Sequence, residues 1–331
     1  MKVNHYFEWE EWITGGHSES VRNQRKIMDR RGIDYTTSPD LDSDIIHLNN
    51  MGPRSVQLAR KAREKDIPVL VHAHQTAEDF RNSFALSNII AKPLKPYLSY
   101  AYSLADRLIC PSEHNRRVIE EYTDVPKMVI SNGFDPEKLE GYENLRQEYL
   151  ERYELEPPVV FMVGHVIERK GLETFIETAE EMTEVDFAWF GYLNPAGEGR
   201  KSLLQRRKTR KLVEESPDNC VFTGYVEDIR GAYAAGDIFF FPTRNENEGM
   251  ALLEAMACGK PVLVRDIETF EWLEDGVNCL KTAENFGEKL EELKEEKLQS
   301  RLGQKAKEKS KEFRLGKVGD ELVEVYRELK G

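Results

Sequence analysis

The amino-acid sequence predicts an α/β protein of two doubly wound, Rossmann-like domains that face each other across a cleft. Three observations carry that expectation. Short apolar runs alternate with longer stretches of helical periodicity, as parallel strands joined by crossover helices require. The alternation stops at a charged, proline-bearing stretch after residue 133 and then starts again. The chain, at 331 residues, is also long for a single hydrophobic core.

The first series of strands is read at 44–50 (DIIHLNN), 67–74 (IPVLVHAH), 107–112 (RLICPS) and 127–133 (KMVISNG), each closing on polar residues. Helical spacing fills 52–65 and 113–122. The stretch FDPEKLEGYENLRQEYLERYELEPP, with Pro136, Pro157 and Pro158, reads as a linker and the entry to a second domain. Further strands follow at 159–165, 185–192, 219–225, 237–243 and 260–266. From about residue 283 the chain is charged and helical, ending in the amphipathic VGDELVEVYRELKG. The expected domains are 1–133 and 134–312, followed by a helix at about 313–331. Open parallel sheets take ligands at the carboxyl ends of their strands. Those ends carry His74, Asn132, Gly164 with His165, Gly191, Gly224 and Thr243.

Composition is that of a globular protein, with 40% apolar residues. A net charge of -13 provides no overall field toward phosphate backbones, so no nucleic-acid partner is expected. The four cysteines, Cys110, Cys220, Cys258 and Cys279, have no paired spacing, which fits a reducing compartment and gives no zinc signal. The start, MKVNHYFEWEEWITGG, lacks the apolar run of a signal peptide, and no stretch approaches a membrane span. The expected location is the cytoplasm, with attachment to the inner face of the cell membrane left open.

Two motifs suggest chemistry. VGHVIERKGLETFIETAEEM (163–182) sets Arg169, Lys170 and Gly171 at a helix start after a strand-ending glycine, an arrangement that can hold a diphosphate. Its simplest alternative is a pair of solvated cations. NENEGMALLE (245–254) places Glu246 and Glu254 eight positions apart, about two helical turns. Both acids can then reach one side of a site, one at the helix mouth and one two turns inside. A carboxylate there can accept two hydrogen bonds from ribose hydroxyls, and the backbone N–H groups of Asn247, Glu248, Gly249 and Met250 can hold phosphate or sugar oxygens. The alternative is a first-turn acid, such as Glu248, plus an ion-paired helix acid.

The ordered set decides between these readings. The Lys-Gly helix start, the strand ending FPT, the two acids, EAMACGKPV and TGYVEDIRGAYAAGDIFFFP together resemble family 4 retaining glycosyltransferases of GT-B fold. The resemblance covers nearly the whole chain and is strongest over 159–280. GGHSESVRNQ looks like that family's glycine-rich loop at Gly15 and Gly16, and SNGFD (131–135) like its Asn-Gly segment. It implies that Lys170 binds the donor diphosphate with Arg169 as helper, that Glu254 binds the ribose, and that Glu246 lies near the transferred sugar. Gly16 is implied on the donor side, Glu271 in a further acidic position, and the C-terminal helix as crossing back onto the first domain. Many members carry an arginine after the strand-ending glycine; His165 stands there in this chain, expected as a weaker, pH-dependent cation. In VHAHQTAEDF (71–80), His74 matches the family's acceptor-side histidine, and Glu78 and Asp79 are helix caps or contacts to acceptor or sugar hydroxyls.

The implied reaction transfers a hexose from a nucleotide diphosphate sugar to a hydroxyl acceptor with retention, catalysed through His74, Glu246 and Lys170. A UDP-sugar is the expected donor, with a GDP-sugar as the alternative. No cofactor and no metal are expected, since protein cations take the metal's place. The glycolipid look of VLVRDIETFEWLEDG points to a membrane lipid or lipid-linked glycan as acceptor. The segment 81–118 carries six cations against two acids, and Ile90, Leu94, Tyr97, Leu98, Ala101 and Ala105 follow helical spacing. That is either a basic face for an anionic membrane or a sheet-covering helix with a solvated edge, interrupted at Pro93 and Pro96. A second cationic run, 199–212, reads most simply as a solvated helix. Competing functions are transfer to a soluble glycan or small molecule, silent sugar-nucleotide binding, and sugar-nucleotide epimerisation.

Overall fold

The computed structural model describes residues 1–80, 87–193 and 207–331, with residues 79–80 and 87–92 described through the backbone only. Its contacts divide it into two units. One takes the described residues up to Phe134 together with Phe313–Gly331; the other takes Asp135–Glu312.

In the first unit the chain runs β1 (Lys2–Tyr6), α1 (Gly16–Arg30), β2 (Asp34–Thr36), β3 (Ile45–Leu48), α2 (Pro53–Arg63), β4 (Val69–His72) and α3 (Ala77–Phe80). It continues through α4 (Ser87–Tyr102), β5 (Arg107–Cys110), α5 (Glu113–Glu120) and β6 (Lys127–Val129). The strands form one parallel sheet in the order β2-β1-β3-β4-β5-β6. Strands such as β3 and β4 are buried at every position, so their sequences are apolar runs rather than alternations. The sequence pattern passes over β1 and β2. Buried Asn4 and His5 interrupt the apolar run of β1, and β2 is only three residues long.

The second unit opens with what reads as a linker in sequence but is folded structure. Two 3-10 turns (Pro136–Leu139, Tyr142–Leu145) and α6 (Arg146–Arg152) lie against the rest of the unit. Tyr149 is 2% exposed, and its ring fills the space over Gly231 that any Cβ would occupy. Arg146 pairs with Asp237 and donates to the carbonyls of Ala234 and Ala235. Charge and proline content disguise a segment whose aromatic residues do the packing.

Then come β7 (Val159–Val163), α7 (Leu172–Glu181), β8 (Asp186–Phe190), α8 (Arg207–Glu214), β9 (Cys220–Gly224) and α9 (Arg230–Ala235). β10 (Ile238–Phe241), α10 (Met250–Ala257), β11 (Val262–Arg265), β12 (Leu280–Thr282), α11 (Phe286–Glu292) and α12 (Glu296–Ser310) complete the unit. Its sheet is again parallel, in the order β12-β11-β10-β7-β8-β9. The last helix, α13 (Leu315–Lys330), belongs to the first unit, where Leu315, Val318, Leu322, Val325 and Tyr326 join Val3, Ile27 and Ile45 in one core cluster.

In the segment 81–118 the expected interruption is absent, and of its two readings the sheet-covering helix is the one seen among the described residues. α4 runs through Pro93 and Pro96 without stopping. Its apolar face is used inside the unit: Leu98, Ala101, Tyr102 and Ala105 are core, with Leu94 and Tyr97 packed beside them. Lys95 pairs with Glu121, Arg107 with Glu328, and Arg116 with Glu113 and Glu120. These partners lie mostly outside the window over which the charge is counted. Ile90 lies outside the residues whose side chains are described. Of the run 199–212, the described part is α8, where Arg210 and Lys211 pair with Glu214 and Glu215 and Lys208 with Glu173. Among the described residues no helix is long and apolar enough to cross a membrane.

Candidate functional site

In the second sheet β7 and β10 are neighbours, and the strand order reverses between them. Doubly wound sheets open a crevice at the carboxyl ends of such a pair, because successive crossovers leave on opposite faces. The loop that follows β7 carries Arg169 and Lys170, and the loop that follows β10 carries Glu246 and leads into α10 with Glu254. They approach so closely that a Cβ on Gly171, which has φ +83°, would lie 2.2 Å from the carbonyl oxygen of Pro242. Glycine is required there for both reasons.

Lys170 ends a 3-10 turn (Glu168–Lys170) and is ion-paired with Glu246, its Nζ 5.1 Å from the centroid of the Phe241 ring. Arg169 Nη1 donates to the carbonyl of Asn245 at 2.7 Å and lies 4.0 Å from Glu246 Oε1. Thr243 Oγ1 donates to the same carbonyl at 3.1 Å, Thr269 Oγ1 donates to the carbonyl of Glu246 at 2.8 Å, and the Arg244 N–H donates to the carbonyl of Arg169 at 2.9 Å. Burial works against ionisation of Glu246, but Lys170, Arg169 and the Asn247 N–H outweigh it and hold the carboxyl below its usual range. His165 behaves otherwise. Burial first, then Lys170 and Arg169, lower its pKa to about 4, so at neutral pH it is uncharged and not the weak cation expected.

α10 begins at Met250, with Gly249 as its N-cap in the left-handed region at φ +98°. Glu246 and Glu248 therefore precede the helix instead of occupying its first turn, and Glu248 is only 2% exposed rather than a solvated helix-end acid. Glu254 lies about one turn inside, not two. It is 6% exposed and partnered on both oxygens: Lys138 Nζ at 3.1 Å from Oε1, and the Tyr233 hydroxyl donating to Oε2 at 2.6 Å. Neither partner is legible in sequence, since Lys138 comes from the supposed linker. Glu271 is exposed at the end of the turn Glu268–Phe270, whose Thr269 holds the Glu246 backbone.

The first sheet reverses between β1 and β3. Near that point the structure gathers five of the chain's seven histidines: His5, His17, His47, His72 and His74. The His74 ring lies on His72, 4.2 Å between centroids and 4° from parallel, and against His17 at 4.3 Å and 42°. His17 Nε2 is 2.6 Å from the carbonyl of Asn49, and Gln24 bridges His5 Nε2 (2.7 Å) and His72 Nδ1 (3.0 Å). Ser20 Oγ lies 3.4 Å from His74 Nε2 and donates to Asn132 Oδ1 at 2.7 Å. Burial lowers His5 and His17 to about 4 and His72 to about 3, and holds His74 and His47 well below the ordinary value. All five are neutral near pH 7.

The remaining predicted residues fall as follows. Gly16 is the first residue of α1, behind an N-cap Gly15 at φ +79°. Glu78 accepts from the Tyr122 hydroxyl at 2.6 Å, and that hydroxyl accepts from the Ala77 N–H, a bond that fixes the start of α3. The side chain of Asp79 lies outside the described residues. Two Asp-x-Asp runs, Asp40-Leu41-Asp42 and Asp42-Ser43-Asp44, enter β3 at its amino end, where Asp44 binds Lys2 N–H and Lys330. Among the described residues no group of three or more His, Cys, Asp or Glu has the geometry to hold a metal ion.

Comparison with known proteins agrees with this architecture. Residues 16–138 match the family model described as Glycosyltransferase Family 4, and residues 157–296 that described as Glycosyl transferases group 1. The chain is 32% identical to the processive diacylglycerol alpha-glucosyltransferase of Acholeplasma laidlawii over 99% of its own length and 98% of the relative's. It is 34% identical to the alpha-galactosylglucosyldiacylglycerol synthase of Streptococcus pneumoniae over 36% of this chain and 31% of that one. Among solved structures, Anabaena HepE in complex with UDP-glucose superposes with a TM-score of 0.78 at 15% identity, over 99% of this chain and 100% of that one. Sucrose-phosphate synthase from Thermosynechococcus elongatus gives 0.79 at 15% identity, over 99% of each. The chain belongs to the family 4 glycosyltransferases and has their GT-B fold.

Proposed function

We propose that this glycosyltransferase moves a hexose, glucose in the first instance, from UDP to a hydroxyl of diacylglycerol or of a glycosylated diacylglycerol, with retention and without a metal. The observation that carries the lipid acceptor is the 32% identity, end to end, with a diacylglycerol alpha-glucosyltransferase. The donor reading draws on the Lys170–Glu246 pair at the reversal of the second sheet and on a fold relative solved with UDP-glucose.

In this reading Lys170 exchanges its partner when donor arrives, leaving Glu246 for the diphosphate. The bond from the sugar's anomeric carbon to the β-phosphate oxygen breaks, and the acceptor oxygen bonds the same carbon. The acceptor's hydroxyl proton leaves with the UDP. Negative charge grows on the diphosphate as that bond lengthens, so Lys170, Arg169 and the N–H groups of Asn247 to Met250 stabilise the transition state more than the ground state. Glu246, released from Lys170, accepts from sugar hydroxyls, and Glu254 accepts from the ribose. Gly16 leaves room for donor, and Glu271 supplies a further acidic contact. His74, being neutral, hydrogen-bonds a sugar hydroxyl without repelling the cationic character that develops on the ring.

The test is incubation with UDP-glucose and detergent-dispersed diacylglycerol, with and without EDTA, followed by analysis of product and anomer. Alpha-glucosyl lipid formed in both arms is the expected result. UDP and free glucose as sole products with every lipid offered would remove the lipid reading, and loss of product in EDTA would remove metal independence.

A further inference from the structure

Residues 7–15 connect β1 to α1 and present two tryptophans to solvent, Trp9 at 51% and Trp12 at 64% exposure. Exposed tryptophan is costly to leave in water, because the indole carries a large apolar area. Trp9 also has φ +61°, a conformation that a bulky side chain adopts only under constraint.

The constraint is visible. Glu8 is buried beneath the loop and accepts from the Ser55 and Arg54 N–H groups at 2.8 and 3.2 Å, while Asn50 clasps its backbone from both sides at 2.6 and 3.0 Å. Arg25 holds Glu10 with two bonds, at 2.5 and 2.8 Å. The carbonyl of Trp9 accepts from the N–H groups of Trp12 and Ile13 at 2.8 and 3.2 Å, and Ser18 Oγ donates to the carbonyl of Ile13. These bonds close the turn on itself and fix where the two indoles stand. Its root touches the histidine stack: Phe7 and His17 are 4.7 Å apart, and His17 lies 4.3 Å from His74.

We propose that Trp9 and Trp12 anchor the first unit in the headgroup layer of a lipid bilayer, holding the carboxyl ends of its strands, with His74, at the surface that supplies the acceptor. The lipid occupant rests on the acceptor proposed above. Indole suits that layer because its ring is apolar and its N–H is wet. The loop has no cation to meet an anionic surface: Glu10 is matched by Arg25, and Glu11 is exposed. Binding is therefore carried by the tryptophans and is independent of salt, unlike attachment through the basic residues of 81–118.

The test is cosedimentation with uncharged phosphatidylcholine vesicles containing diacylglycerol, at low and high salt, for the wild type and for the double variant Trp9→Asn/Trp12→Ser. Asparagine at position 9 tolerates the left-handed backbone. Wild type should sediment equally at both salt levels, and the double variant's partition coefficient should fall at least about tenfold. Thermal stabilisation by UDP checks that the variant is folded; should it fail, Trp12→Ser alone is read by the same criterion, with a fall of about threefold. Absence of wild-type sedimentation, an unchanged partition in the variants, or release by salt would each overturn the anchor. So would light scattering that shows the wild type to be an oligomer and the double variant a monomer, which would assign the pair to a protein interface. The acceptor reading fails separately, through the absence of transfer to detergent-dispersed diacylglycerol, where no bilayer is needed.

Discussion

The two sheets of this protein solve one topological problem with opposite chemistry. Each reverses strand order once, and each has a cluster of notable polar side chains in its unit. At the second sheet the residues are charged and paired: Lys170 with Glu246, Arg169 close by, Lys138 with Glu254. At the first they are five neutral imidazoles held by stacking and by amide, hydroxyl and carbonyl partners. In the proposed reaction, a leaving group that gains negative charge calls for fixed cations. A sugar ring that gains positive character calls for hydrogen bonding without a cation. The fold supplies the crevice in both cases, and the side chains decide which partner it suits.

The charged half breaks most easily. Lys170→Ala removes the cation that holds Glu246 ionised and, in the proposed mechanism, the diphosphate. Turnover at saturating donor should fall about a thousandfold or more. Single-turnover kinetics would check this, and a variant within about tenfold of wild type would exclude Lys170 from the leaving-group site.

Glu246→Gln tests the other side of that pair, and its expected effect is smaller. Without the carboxylate, Lys170 no longer has to leave an ionic partner when donor binds. Turnover should drop about a hundredfold, while the affinity for UDP stays level or rises. Calorimetric titration with UDP alongside kcat separates the two. A large loss of UDP affinity would place Glu246 among groups that hold the nucleotide itself.

Within the neutral half, the proposed mechanism makes His17 a positioning residue for His74, whose ring it touches. Removing the ring with His17→Ala frees one face of His74 and should lower kcat about tenfold with little change in donor KM. His17→Phe restores a stacking surface while giving up the bond to Asn49, so it should recover much of the loss. Equal defects in the two variants would indicate that the hydrogen bond, not the stack, sets the His74 ring.

How much of this is legible in sequence differs between the halves for a physical reason. The strands of the second sheet are continuous apolar runs, and Lys170, Glu246 and Glu254 stand close to them in local motifs, so fold and candidate residues can be read together. The histidines come from β1, α1, β3 and the end of β4, and only strand pairing and the packing of α1 bring them into one cluster. Isolated in sequence, His5, His17 and His47 carry no signal. Lys138 is hidden similarly, in a segment whose prolines and charges suggest a linker although Tyr149 and Arg146 bind it to the unit. The helical spacing around Leu98 is real but answers to the core rather than to a membrane. Periodicity reports that a face is buried, not what buries it.

The smallest effect near neutrality is also the one that distinguishes the halves by pH. His5, His17 and His72 have folded-state pKa values of about 4, 4 and 3, below the value near 6.5 that they regain on unfolding. About one unit or more above pH 6.5 both states are essentially uncharged at these sites, so stability should not vary there on their account. As pH falls from about 6.5 toward 4, the unfolded chain takes up protons that the folded first unit refuses, and stability is lost progressively. Glu246 adds to the loss only at lower pH, because its depressed carboxyl favours the folded state until it too is protonated. Denaturant titrations across this range should give a slope of more than one proton per molecule between pH 6 and pH 5. Replacing His17 by Phe should reduce that slope while leaving stability above pH 7 within about 1 kcal/mol of wild type. A slope unchanged by the substitution would mean that His17 is protonated in the folded protein, and that the stack beside His74 carries charge after all.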